Sequence, residues 1–121
     1  MSDWPEQLPG LNLKQALAQL GGKKKLYLRL LGMFKDAHTS DVDKLVAVAG
    51  SADWTAVHEV NHALKGVAGN LAANELYDLC VSIDAKVKAE DHDLSAELAA
   101  MPIAMETLKD SIEQALQLPE E

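Results

Sequence analysis

The chain of 121 residues suits one domain that buries roughly two-thirds of its unfolded surface, and 48% of its residues are hydrophobic whereas only 4% are aromatic. Its net charge of −8 disfavours binding to nucleic acids and anionic lipids, because both are negatively charged. It has no apolar run of about 18 residues that could span a membrane, no apolar signal segment at its N-terminus, and only one cysteine, Cys80. These features predict a cytoplasmic protein without an internal disulfide, in which Cys80 is a buried small hydrophobe.

The chain opens with a polar segment, residues 1–10, that contains two prolines and is predicted to be an extended lead-in. Asn12 to Gln15 resembles a capping box, and the apolar spacing after it predicts a short first helix. Gly21 and Gly22 are expected to end that helix.

A second helix is predicted to begin near Lys23 and to end at Gly50. Its apolar pattern weakens at residues 38–41, where Ser40 could cap a separate helix. We predict one long helix with room for a bend at this point. His38 is expected to be a surface or boundary residue rather than a ligand.

Asp53 is a suitable N-cap for the third helix, and Trp54 is expected to pack the start of that helix against the core. A fourth helix is predicted at about residues 74–89. The last helix should begin near Leu94, with apolar residues at alternating spacings of four and three. Pro102 lies inside it and should either kink it or mark where the helix proper begins.

No segment alternates apolar and polar residues in the manner of a strand. Four long amphipathic helices joined by short turns predict an all-α fold, an antiparallel four-helix bundle with a short additional N-terminal helix. The bundle should occupy residues 11–118, followed by a tail at 119–121.

The helix after Asp53 has two distinct faces. At about 100° per residue, its apolar side chains form one arc roughly 80° wide, comprising Val57, Val60, Leu64, Val67 and Leu71. His62 points about 170° away from the middle of that arc. The residues that share its side are His58, Glu59, Lys65, Gly66 and Gly69. The geometry therefore predicts a solvent-exposed histidine.

Gly66 and Gly69 follow His62 by one and two helical turns. Each glycine costs a helix interior roughly 0.5–1 kcal/mol relative to alanine. Two glycines beside an exposed histidine would leave a flat patch that another protein's backbone could approach. Close helix packing or a helix end is the alternative explanation, and it applies better to Gly69 than to Gly66.

The run His62-Ala63-Leu64-Lys65-Gly66, followed by Ala68, Asn70, Leu71 and Leu76, resembles the motif of the histidine-containing phosphotransfer (HPt) domain family. The resemblance extends upstream to Asp53-Trp54 and to residues 26–34. Two positions depart from the family pattern. Ala72 stands where a glycine is usual, and Asp84 stands where a glutamate is common.

The resemblance implies that His62 carries a phosphoryl group on Nε2, received from a receiver domain and passed to another. An exposed neutral imidazole is a competent nucleophile, and Lys65, at i+3, could stabilise the phosphoryl oxygens. His58, Glu59, Lys65, Gly66 and Gly69 would form the partner-binding surface. Receiver domains of response regulators or hybrid histidine kinases are the implied partners, and they would supply Mg²⁺, so this chain needs no cofactor or metal of its own.

The sequence contains no nucleotide-binding element, so ATP-dependent kinase activity is not expected. It does contain His58-Glu59-Val60-Asn61-His62, which matches the His-Glu-x-x-His pattern of zinc hydrolases. A catalytic zinc needs a third ligand, for which Glu75 or Asp78 could be offered. The absence of strands and of a downstream histidine at the required spacing opposes this alternative.

A non-catalytic helical adaptor is a third interpretation, which leaves His62, Lys65 and the two glycines without a role. A monomer is the simplest expectation for one bundle with a polar exterior. Met1, the polar lead-in and the clean C-terminal stop favour a free-standing protein over a fragment of a hybrid kinase.

Overall fold

The computed structural model describes residues 4–120, and within that range the chain forms six α-helices and no β-strand. The predicted features of Met1–Asp3 and Glu121, at the ends of the lead-in and the tail, lie outside the described residues. The helices are α1 (Leu13–Gln19), α2 (Lys24–His38), α3 (Asp41–Gly50), α4 (Trp54–Leu71), α5 (Asn74–Lys88) and α6 (Ser95–Ala115).

In the four-helix bundle, α2 and α3 together take the place of one long helix, and α4, α5 and α6 are the other three helices. Helix α4 packs against α2, α3 and α5, and α6 packs against the same three helices from across the core. The short helix α1 contacts α2 and α4. Leu31, Leu45, Leu64, Ile83 and Leu108 are among the completely buried side chains that fill the centre. The predicted all-α bundle with a short N-terminal helix is thus confirmed.

The predicted long helix from Lys23 to Gly50 is wrong in one respect, because the chain leaves regular helix at Thr39 and Ser40. The Thr39 hydroxyl donates a hydrogen bond to the carbonyl of Lys35, 3.1 Å away, and so competes for the acceptor of a helical N–H. Asp41 is buried at the start of α3, and its carboxylate lies 2.8 Å from His38 Nδ1. These side-chain bonds hold the break between α2 and α3.

Both ends of α4 are set by local backbone chemistry. Asp53 caps the start, because its carboxylate accepts a hydrogen bond from the Ala56 N–H at 3.1 Å. Ala72 ends the helix in the left-handed region, with φ 57° and ψ 36°. This conformation favours glycine, which suits the glycine of the resembled pattern, and Ala72 adopts it despite its side chain.

Helix α6 runs without interruption past Pro102, which is exposed on its outer face. The alternative in which the helix begins only at Pro102 is therefore wrong. The predicted apolar seam is confirmed, since Met101, Met105, Leu108 and Ile112 are all buried.

The lead-in turns back on itself instead of staying extended throughout. Leu8 and Leu11 exchange two backbone hydrogen bonds of 2.8 and 2.9 Å around Pro9 and Gly10. Trp4 donates a hydrogen bond from Nε1 to the carbonyl of Pro119 at 2.6 Å. Across residues 4–120, we find no helix with the length and apolar character needed to cross a membrane.

Candidate functional site

The buried face of α4 places His62 in solvent, as predicted. The buried side chains of this helix are Val57, Asn61, Leu64, Ala68 and Leu71, whereas Val60 and Val67 are only half-buried. The centre of the buried face is therefore rotated by about 40° from the predicted arc, toward Asn61. His62 consequently lies about 140° from that centre and remains exposed.

The ring of His62 packs beside the ring of His58, one helical turn earlier. Their centroids are 5.8 Å apart, and the ring planes differ by 20°. Within residues 4–120, the imidazole of His62 takes part in no hydrogen bond or ion pair. Both ring nitrogens of His62 are thus available to a reactant from solvent.

The rotation of α4 turns His58 and Lys65 toward α5, where Asp84 lies between them. The Lys65 ammonium is 3.3 Å from Asp84 Oδ2, and His58 Nδ1 is 3.6 Å from Asp84 Oδ1. Lys88, one turn further along α5, contacts the same Oδ2 at 2.9 Å. Asp84 is 8% exposed. The hydrogen bond from Lys88 and then that from Lys65 hold the pKa of Asp84 below its usual range, although burial opposes this.

The two glycines of α4 have different surroundings. A side-chain Cβ added at Gly66 would meet nothing within 4 Å, so this position faces open space. A Cβ added at Gly69 would lie 3.2 and 3.3 Å from ring carbons of Tyr77. Gly69 therefore has a packing reason to lack a side chain, whereas Gly66 has none within the described residues.

The comparisons with known proteins bear on this exposed histidine and its helix. The family model of the Hpt domain matches residues 29–118, well over half of the chain. The chain belongs to the Hpt domain family. Family membership supports phosphotransfer in two-component systems, in which Hpt domains work with receiver domains.

A solved structure supports the fold of this Hpt domain. The HPT domain from the Hpt sensor hybrid histidine kinase from Shewanella superposes with a TM-score of 0.82, and the match covers 91% of this chain and 96% of that chain. The sequences are 24% identical, so the similarity shows the fold alone. The comparison with curated proteins found no match.

Glu59 lies on the opposite side of the exposed face from Lys65. Together with Val60 and Ala63, it lines a shallow depression against the α2–α3 junction, near His38 and Lys44. The structure of this Hpt domain therefore brings His58, His62 and Lys65 together and separates Glu59 from them. The partner-binding roles of these residues remain predictions.

Sequence reasoning missed two buried polar residues that support the site. Asn61 donates a hydrogen bond from Nδ2 to the carbonyl of Cys80 at 2.9 Å, which joins α4 to α5 beside His62. Asp84 was noted only as a departure from the family pattern. The position of Asn61, four residues after Val57, indicates that its side chain belongs to the buried face of α4. Asp84 follows the inward-facing Ile83, at the edge of the apolar stripe of α5.

The geometry gives the zinc alternative no third ligand. Among residues 4–120, no three His, Cys, Asp or Glu side chains are grouped so that they could hold a metal ion. Glu75 and Asp78 line a depression with Ile103 of α6, whereas His58 faces Asp84.

Proposed function

We propose that this Hpt domain accepts a phosphoryl group on His62 from the aspartate of one receiver domain and donates it to the aspartate of another. The observation that carries this proposal is the exposed imidazole of His62, free of hydrogen bonds within residues 4–120, on a helix of an Hpt family member.

The chemistry requires a nucleophile that is positioned and a charge that is neutralised. A ring nitrogen of His62 would attack the phosphorus of an aspartyl phosphate in line. The new N–P bond would form as the acyl P–O bond breaks, and the aspartate would leave as a carboxylate. The second receiver would reverse these steps. By family resemblance, we assign the phosphoryl group to Nε2.

Lys65 is the residue that we assign to phosphoryl stabilisation. It is half-buried on the edge of the His62 face, and charge-assisted hydrogen bonds from an ammonium to phosphoryl oxygens are strong. Mg²⁺ and the acceptor aspartate would belong to the receiver. No ATP-dependent step is assigned to this chain.

We assign receiver docking to the face that carries His62, Gly66 and Gly69, with His58 and Glu59 at its rim. The open space at Gly66 supports close approach of a partner's backbone. Such a patch suits a transient interface of modest area. We further propose that the domain acts as a cytoplasmic monomer.

The test is intact-mass spectrometry after incubation with phosphoramidate, a small phosphoryl donor. The wild-type protein should gain one phosphoryl group that acid treatment removes, because an N–P bond is acid-labile. His62→Gln should gain none. His58→Gln is the matched control for the loss of an exposed histidine and should still be labelled. An acid-labile phosphoryl group that persists in His62→Gln would point to His58, His38 or His92 as the acceptor.

A further inference from the structure

The resting position of Lys65 raises a question about phosphoryl stabilisation. Its ammonium is bound to Asp84 Oδ2, on the α5 side of the His62 face. A phosphoryl group on His62 would draw this ammonium toward the exposed face. If Asp84 then lost its partner, a nearly buried carboxylate would be left charged and unpaired, which strongly disfavours the movement.

Lys88 removes this obstacle, because it binds the same oxygen more closely. The Nζ of Lys88 is 2.9 Å from Asp84 Oδ2, whereas the Nζ of Lys65 is 3.3 Å from the same oxygen. Lys88 and Asp84 are one turn apart on α5. The other oxygen of the carboxylate is buried and accepts no hydrogen bond in the described structure. Among the described residues, the basic groups within 4 Å of this carboxylate are Lys65 and His58 from α4 and Lys88 from α5.

We propose that Lys88 is a positioning residue for phosphotransfer: it keeps Asp84 paired while the Lys65 ammonium moves from Asp84 to the phosphoryl group on His62. This inference rests on the proposed function. Lys88 acts through Asp84 and Lys65 and touches no reacting atom. Without Lys88, Asp84 would hold Lys65 more tightly, and the phosphorylated state would lose part of its stabilisation.

The experiment measures the rate at which phosphoramidate phosphorylates His62, in the wild type and in Lys88→Met, Lys88→Arg, Lys65→Met and the Lys65→Met/Lys88→Met double variant. In this reaction, the P–N bond of the donor breaks as phosphorus bonds to the ring nitrogen, and ammonia leaves with the ring proton. The Lys88 side chain is 67% exposed, so its variants should keep the fold, which circular dichroism checks. Lys109→Met, on α6, controls for the loss of one surface charge.

Lys88→Met should slow phosphorylation about two- to fivefold, the range expected for a partly exposed ion pair. Lys88→Arg should restore the wild-type rate, and Lys109→Met should not change it. In the Lys65→Met background, the Lys88→Met change should have no further effect, because Lys88 acts only through Lys65. If Lys88 instead acted through the fold or through its charge alone, Lys88→Met would still slow phosphorylation in the Lys65→Met background.

Two results overturn this inference while leaving the proposed function intact. One is an unchanged rate in Lys88→Met, and the other is an equal slowing by Lys88→Met with and without Lys65. A wild-type protein that takes up no phosphoryl group overturns the proposed function itself, and the role of Lys88 with it. The wild-type measurement alone distinguishes that failure from the other two.

Discussion

Replacing Gly66 by alanine should stabilise the domain by about 0.5–1 kcal/mol, since glycine weakens a helix interior by this amount. No steric clash should reduce this stabilisation, because a Cβ at this position meets nothing within 4 Å. For a domain of this size, it corresponds to a rise of about 2–5 °C in the melting temperature, measured by circular dichroism. Gly32→Ala, in α2, is the matched control, because its Cβ also meets nothing within 4 Å.

Gly69→Ala should give less stabilisation than Gly66→Ala, or a loss. The added methyl group would lie 3.2 Å from the Tyr77 ring, so the ring would have to shift. Urea unfolding of the two alanine variants measures this difference. An equal gain at both positions would show that Tyr77 moves freely and that Gly69 has no packing role.

Gly66→Leu separates docking from chemistry. Phosphorylation of His62 by phosphoramidate should be unchanged, because the donor is small. Transfer to a receiver domain should fall about 5- to 150-fold, since an overpacked contact costs roughly 1–3 kcal/mol. Ala99→Leu, which places the same side chain on the exposed face of α6, should transfer at the wild-type rate. Normal transfer by Gly66→Leu would refute the argument that Gly66 lies under the docked partner.

Four further predictions concern the stability of the domain and the reactivity of its cysteine. Ala72→Gly should change the free energy of unfolding by less than about 1 kcal/mol in urea, because relief of the left-handed backbone is offset by a lost buried methyl group and by glycine's entropy. Tyr27→Phe should cost about 1–3 kcal/mol in the same assay, since the buried Tyr27 hydroxyl donates to the carbonyl of Leu71. Burial raises the pKa of Cys80 to about 12, so a thiol reagent at pH 8 should label the native protein at least about 10³-fold more slowly than the unfolded chain. A hydrogen bond from the Ser82 hydroxyl lowers the pKa of Glu97, so this carboxylate takes up a proton at a higher pH in the unfolded state than in the folded state. The free energy of unfolding should therefore decrease as the pH falls below about 4.3. Glu97→Gln should flatten this part of the curve of unfolding free energy against pH.

Features that depend on neighbouring residues were predictable from the sequence. The carboxylate of Asp53 caps the free N–H group of Ala56, three residues later, and the period of the helix separates His62 from the apolar side chains. Neither feature depends on where the other helices lie. The sequence therefore predicted the start of α4 and the exposure of its histidine.

Features that depend on how two helices meet were not predictable in the same way. The apolar arc of α4 allowed a range of rotations, and the hydrogen bond from Asn61 to α5 selects one that differs by about 40°. That rotation brings Lys65 to Asp84, a pair separated by 19 positions in the chain. The sequence left a separate helix after Ser40 open but favoured a continuous one, because a threonine hydroxyl competes with the backbone only in particular rotamers.

The hydrogen bond between Trp4 and the carbonyl of Pro119 makes the described chain almost a closed ring. A short flexible linker should be able to join these ends without moving a helix, and new ends could be opened in the turn at residues 90–93. Such a circular permutant would begin with α6 and end with α5. The helix that carries His62 would keep all its neighbours, so phosphotransfer could be studied with attachments made at a different place on the bundle.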